Sequence, residues 1–200
     1  MVLLVPASSV RAQVTVAIAR AGIDDGFTYR YAQVFHDRAG WVFPDVGYID
    51  FGGSDYREFF AGFGRTFVRT PKAMVVGEAY YLQAFGSASR SEKYVLPWVL
   101  VALRLTERVS SETVYFPYVP LTAAGQFQHV LERSKIEYSV GRVKVGGGYG
   151  AYDSTGIEWQ HRPFVTATVS PPRLGDFEVW LQRLPGRGVQ VQIRYQRVFK

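Results

Sequence analysis

The chain ends on G-V-Q-V-Q-I-R-Y-Q-R-V-F, residues 188–199. Val189, Val191, Ile193 and Tyr195 share one phase of an extended backbone; Gln190, Gln192, Arg194 and Gln196 share the other. Side chains alternate sides along a strand, so this stretch predicts a strand with one apolar and one polar face. Its polar face carries long hydrogen-bonding side chains. That combination reads as the closing strand of a transmembrane β-barrel, with the aliphatics toward lipid and the glutamines and Arg194 toward the lumen.

The rest of the chain follows the same scheme. From Gln13 onward, strand-sized segments cover 13–21, 27–36, 41–51, 56–69, 73–85, 92–106, 112–120, 126–138, 142–152, 157–169, 176–184 and 188–199. Between them lie clusters such as D-R-A-G (37–40), T-P-K (70–72), D-S-T-G (153–156) and P-G-R-G (185–188). Gly, Pro, Ser and Asp supply the dihedrals and local hydrogen bonds that turns need. The expectation is an all-β fold: a single antiparallel up-and-down transmembrane β-barrel of about twelve strands, spanning 13–200. Ten strands follow instead if the first segment, or the proline-containing 112–120, does not pair.

Composition agrees. Aromatics make up 16% of the chain and glycines number 20, a mixture that suits strands joined by tight turns. Cysteine is absent, which excludes disulfides, thiolate metal sites and a cysteine nucleophile. The formal charge of +6 is spread through alternating segments rather than gathered in an arm, which argues against nucleic-acid binding. The most apolar run, Y-V-L-P-W-V-L-V-A-L at 94–103, is too short to cross a bilayer as a helix. It has the length of a crossing strand, which needs only about 9–11 residues. Residues 1–12, M-V-L-L-V-P-A-S-S-V-R-A, combine an apolar run, Pro6 and a small-residue Val10-x-Ala12 site. They read as the remnant of a secretory signal peptide, or else as an ordinary N-terminal strand.

A soluble barrel points its apolar face inward and a membrane barrel points it outward, so alternation alone does not choose between them. Two features favour the membrane. The segments are long, against about 5–6 residues in ordinary sheets. Aromatics also cluster near segment ends, where girdles meet the membrane interfaces: Trp41, Tyr48, Phe51, Tyr56, Phe59, Phe60, Tyr94, Tyr115, Phe116, Tyr118, Tyr138, Tyr149, Tyr152, Trp159 and Phe199.

The C-terminal segment resembles the last strand of Gram-negative outer-membrane β-barrel proteins, which alternates apolar residues and ends on an aromatic. Tyr195 and Phe199 match that pattern, and Lys200 stands where those families end on the aromatic itself. The resemblance implies residence in the bacterial outer membrane, contact with outer-membrane lipids and lipopolysaccharide, and handling by the barrel assembly machinery through Tyr195 and Phe199. It names a superfamily and no particular activity.

Side-chain constellations with chemistry are few. G-G-G-Y-G at 146–150 lacks the Gly-Lys-Ser/Thr ending of a phosphate loop and sits inside an alternating run. It reads as a bend, a bulge or a close neighbour in a strand, with Tyr149 and Tyr152 covering bare backbone. His36, His129 and His161 show no metal-ligand spacing, and His129 and Ser134 fall in opposite phases. No cofactor and no metal is expected. The widest polar signal lies on one phase of the late strands: Arg133, Lys135 and Glu137; Arg142 and Lys144; Glu158, Gln160 and Arg162; Glu178 and Gln182; Gln190, Gln192 and Arg194. Facing a lumen, they form a mixed-charge ladder, either a plug of paired side chains or the wall of a narrow polar passage. The leading reading is a small pore for small polar solutes or a structural membrane protein. A lipid-modifying outer-membrane enzyme and a soluble lipocalin-like binder of apolar ligands are the alternatives.

Overall fold

The computed structural model describes residues 13–24, 27–154, 156–186 and 188–200. The signal-peptide reading of residues 1–12 lies outside them. Twelve strands follow one another: β1 Gln13–Asp24, β2 Phe27–Arg38, β3 Trp41–Gly52, β4 Tyr56–Arg69, β5 Ala73–Phe85, β6 Lys93–Arg104, β7 Val109–Pro120, β8 Gln128–Val140, β9 Val143–Ser154, β10 Ile157–Val169, β11 Asp176–Leu184 and β12 Gly188–Phe199. Each pairs antiparallel with its sequence neighbours, and β1 pairs with β12 to close the ring. Closure leaves no edge strand, which lets a sheet stand in hydrocarbon with its backbone groups satisfied. The strand count is even, so both ends of the ring order, Gln13 and Phe199, lie at one end of the barrel, here the terminal end. The longest connections, 86–92 and 121–127, lie at the other, distal end.

The proline-containing seventh segment pairs on both sides. The β6–β7 ladder instead opens locally, between Val95↔Val119 and Val99↔Tyr115. Pro97 and Pro117 fall inside that gap, where each lacks an N–H to give. The β8–β9 connection differs from the sequence expectation. β8 continues to Val140, and the turn is Gly141–Arg142, with Gly141 at φ 60. Glycine takes that left-handed conformation without steric cost.

The closing strand sets the phase for the whole ring. Val191 is 39% exposed and Gln190 only 5%. The same alternation runs round the wall, with Ile136, Val165, Phe177, Val179 and Leu181 outward, and Lys135, Thr166, Glu178 and Gln182 buried inside. An apolar exterior around a charged interior is the reverse of a soluble barrel and fits a bilayer. The lipocalin-like alternative needs the opposite phase. Because the chain has no cysteine, single introduced thiols report this directly. In lipid nanodiscs, a spin label at Val191→Cys is expected to be accessible to lipid-dissolved oxygen. A label at Gln192→Cys should be shielded, and the reverse pattern would overturn the orientation.

The aromatics divide in a way the sequence did not separate. Trp41, Tyr48, Phe59, Tyr138, Tyr149, Trp159 and Phe199 are exposed on the outer wall. Phe60 and Tyr94 are buried inside, and Phe51, Phe116 and Tyr118 pack against them. Segment ends bring aromatics near an interface on either face, so clustering along the sequence does not assign them to a girdle.

Candidate functional site

The barrel interior has two unlike halves. Strands β2–β7 supply a packed apolar block. Ile49, Phe60, Tyr80, Leu82, Tyr94 and Leu96 form one cluster, joined by Tyr29, Tyr31 and Trp98. Val42, Val76, Leu100, Ala102 and Val114 form a second. Leu82 and Val114 have no exposed surface at all. Carboxylates set into this half meet hydroxyls and amides. Gln33 Nε2 donates to Asp45 at 2.8 and 2.9 Å, and the Tyr80 hydroxyl, with one proton to give, lies in hydrogen-bond reach of both Asp45 Oδ2 at 2.9 Å and Glu78. Glu58 accepts from the hydroxyls of Tyr56 at 3.1 Å and Tyr118 at 3.3 Å.

Strands β8–β12 and β1, with Glu112 of β7, carry the charged half. Lys135 Nζ lies 2.5 Å from Glu178 Oε1 and 3.2 Å from Glu137 Oε1, with its side chain 1% exposed. Arg194 Nη1 approaches Glu178 Oε2 at 3.4 Å, and Thr166 Oγ1 donates to Glu178 Oε1 at 3.0 Å. Arg133 pairs with Glu112 and, at 2.8 Å, with Glu132. Arg20 Nη1 meets Glu132 Oε1 at 2.5 Å. Four cations and four carboxylates are thereby matched. Two of these pairs, Lys135–Glu178 and Arg20–Glu132, join strands that are not neighbours. Arg20 on β1 and Glu132 on β8 stand nearly opposite in the ring, so their contact crosses the lumen. Such bridges, with the buried apolar block beside them, fill the middle of the barrel.

Local geometry explains how the ladder assembles. The β8–β9 register shifts between Leu131 and Ser134. A bulge of this kind sets two residues against one, and here consecutive Glu132 and Arg133 both turn inward. The same bulge puts His129 and Ser134 on one face, the outer one, against their expected opposite phases. Glycines on β9 make room for the ladder. A Cβ at Gly148 would stand 2.5 Å from Phe164 Cζ and 2.8 Å from Lys135 Cβ. The bare backbone of the glycine run is thus covered by Phe164 from β10 and by ladder residues.

Of the thirteen polar residues singled out from the sequence, Arg133, Lys135, Glu137, Glu178, Gln182, Gln190 and Arg194 are buried. Lys144, Gln160, Arg162 and Gln192 are half-buried. Toward the distal end, Gln192 Nε2 donates to Gln182 Oε1 at 3.0 Å and to Gln190 Oε1 at 2.6 Å, and Gln190 Nε2 reaches Asp24 at 3.2 Å. The Arg162 guanidinium lies over the Tyr152 ring at 4.3 Å. Two residues stand apart from this group. Arg142 is exposed in the β8–β9 turn, because β8 runs two residues further than its alternation suggests. Glu158 is exposed beside the register shift between Ile157 and Gln160, which breaks the alternation there.

Sequence reasoning passed over Arg20, Glu112, Glu132 and Trp180. Arg20 and Glu112 lie in early, mostly apolar segments. Glu132 is out of phase until the bulge is known. Trp180 alternates with Phe177, Val179 and Leu181 and carried no polar signal. The histidines lie on the outer wall. The Tyr115 hydroxyl and His129 Nδ1 are 2.6 Å apart, and Trp159 stacks on the His129 ring at 6.2 Å. His161 hydrogen-bonds to Tyr149, and Ser134 pairs with Thr113 at 3.0 Å. These contacts provide no nucleophile–base pair.

No family model and no curated protein sequence matches the chain. Solved structures do. A KdgM porin in complex with disordered oligogalacturonate superposes with a TM-score of 0.67 at 12% identity, covering 92% of this chain and 98% of the porin. The NanC porin superposes with a TM-score of 0.63 at 10% identity, over 92% of this chain and 99% of its own. At these identities the likeness is one of fold: the chain shares the barrel architecture of these porins.

Proposed function

We propose that the protein is a bacterial outer-membrane β-barrel of the porin type that passes small polar solutes such as oligosaccharides. The observation that carries this reading is the combination on the same strands of a lipid-compatible exterior and a charged, amide-rich interior. The KdgM and NanC folds support it. The half-buried Gln160, Arg162 and Gln192 offer donors and acceptors to a hydroxylated solute entering from the distal end. Beyond them the middle is closed by side chains in this conformation, so passage requires Lys135, Arg194 and Arg20 to swing on their long stems. In the same reading, β12 with Phe199 is the segment engaged by the assembly machinery, and lipopolysaccharide lies against the distal outer wall.

A second reading rests on the filled interior: a structural membrane protein with no conduction. Planar bilayers separate the two. Folded protein, recognised by heat-modifiable migration on gels, is expected to give discrete conductance steps that larger sugars reduce. Folded protein that inserts and gives no steps removes the pore reading and leaves the structural one.

A further inference from the structure

The terminal end of the outer wall carries a feature that neither a pore nor a plug requires. Arg38 faces Trp41 across the β2–β3 ladder, and Trp41 faces Arg65 across the β3–β4 ladder. Register partners share a face, so the three side chains form one row, Arg-Trp-Arg, on adjacent strands. The Arg65 guanidinium lies 5.1 Å from the Trp41 ring centroid. Asp37, the acidic residue next to Arg38, is buried and pairs with Arg69. Among the described residues, neither Arg38 nor Arg65 has a carboxylate partner. Beside this row is an open cleft of about 450 Å³, lined by His36, Arg38, Ala39, Trp41 and Phe43. His36, 3.1 Å from Thr15 Oγ1, belongs to one wall. Trp41 is 54% and Phe43 67% exposed, a large apolar surface directly adjoining two unpaired guanidinium groups.

We propose that this cleft binds the phosphodiester headgroup of an anionic phospholipid in the periplasmic leaflet. Arg38 lines the cleft and supplies planar donors to phosphate oxygens, and Arg65, across Trp41 from it, adds a second positive charge to the row. Trp41 sits at the depth where indoles favour the membrane–water boundary, and Phe43 takes the upper acyl chain. The leaflet follows from loop lengths. Outer-membrane barrels keep their short turns in the periplasm, and the longest connections here, 86–92 and 121–127, are distal. The surroundings point the same way. An exposed cation stands in or beside each turn of the terminal end: Arg38, Lys72, Arg108, Arg142 and Arg173. A basic rim of this kind raises the local share of anionic lipid around the cleft. The inference needs the barrel to span a bilayer but does not need it to conduct.

Trp41 provides the readout. Trp98 and Trp180 face inward, so a Trp159→Phe chain leaves Trp41 as the indole on the outer wall. In nanodiscs of phosphatidylcholine, brominated phosphatidylglycerol should quench this chain at a roughly thirtyfold lower mole fraction than brominated phosphatidylcholine does, the gain two interfacial arginines provide. Arg38→Gln with Arg65→Gln should remove most of the difference, leaving only what the rim cations Lys72, Arg108, Arg142 and Arg173 supply, whereas Arg38→Lys with Arg65→Lys should keep more of it. Inorganic phosphate should not relieve the quenching. Equal quenching by the two lipids in the unsubstituted row, or relief by phosphate, would overturn the proposal. Either result is independent of conductance, so it leaves the pore reading where it stands.

Discussion

Glu178→Ala is expected to cost the folded barrel about 3–5 kcal/mol, the typical penalty for removing one partner of a buried ion pair. Glu178 accepts from Lys135, Thr166 and Arg194 and is buried with them. Its loss leaves Lys135 with Glu137 at 3.2 Å as its remaining carboxylate, and Arg194 with the neutral Gln196 at 2.7 Å. Two cations then share the low-dielectric interior with one carboxylate fewer. A urea titration of tryptophan fluorescence in detergent micelles checks this, with an unchanged midpoint counting against a tightly coupled ladder. The companion variant is Lys135→Met with Glu178→Leu. Replacing both charges with apolar side chains of similar volume restores the charge balance of the ladder but leaves Arg194 and Glu137 without their ion-pair partners, so only part of the lost stability should return. In bilayers, the Glu178→Ala interior gains net positive charge. If the ladder lines the solute path, conduction should shift toward anions.

How far the sequence foresaw this interior depends on the strand. Residues 133–137, 178–182 and 190–194 alternate without interruption, so a period of two places Lys135, Glu178 and Arg194 inside without reference to any other segment. Where a bulge intervenes, the rule fails locally. Glu132 enters the lumen because the register slips between Leu131 and Ser134. Glu158 stays exposed beside a second slip. No residue type announces these slips; they arise from fitting twisted strands into a closed ring. The apolar half was hidden for another reason. A strand such as β5 carries Val76, Tyr80 and Leu82 inward and Val75, Ala79 and Tyr81 on the opposite phase. With both phases apolar, the pattern says strand but not which face meets lipid. The ion pairs across the lumen were beyond reach too, since Arg20 and Glu132 are 112 positions apart in the sequence and meet only once the ring closes.

Trp180→Ala is expected to open the barrel. The indole is 3% exposed within the charged half, stacked on Phe164 with centroids 4.6 Å apart and planes within 5°. Arg20 and Arg133 hold their guanidinium groups 5.4 and 6.0 Å from its centroid, and Lys135 Nζ lies at 5.9 Å. One side chain thus backs three of the four ladder cations while filling the space between them. Its removal should lower stability by about 3–5 kcal/mol, as truncation of a buried large aromatic does. Unlike a void in an apolar core, the space left behind is lined by charged groups, and a polar cavity of that size takes up water. Water there loosens Arg20 and Lys135 and connects the distal amides with the terminal end. Unit conductance in planar bilayers should therefore rise severalfold over the parent chain. Selectivity should stay near the parent's, because no ionised group has been lost, and that separates this variant from Glu178→Ala. A conductance equal to the parent's in folded, inserted protein would place the constriction elsewhere, with the Leu82 and Tyr94 cluster as the next segment to truncate.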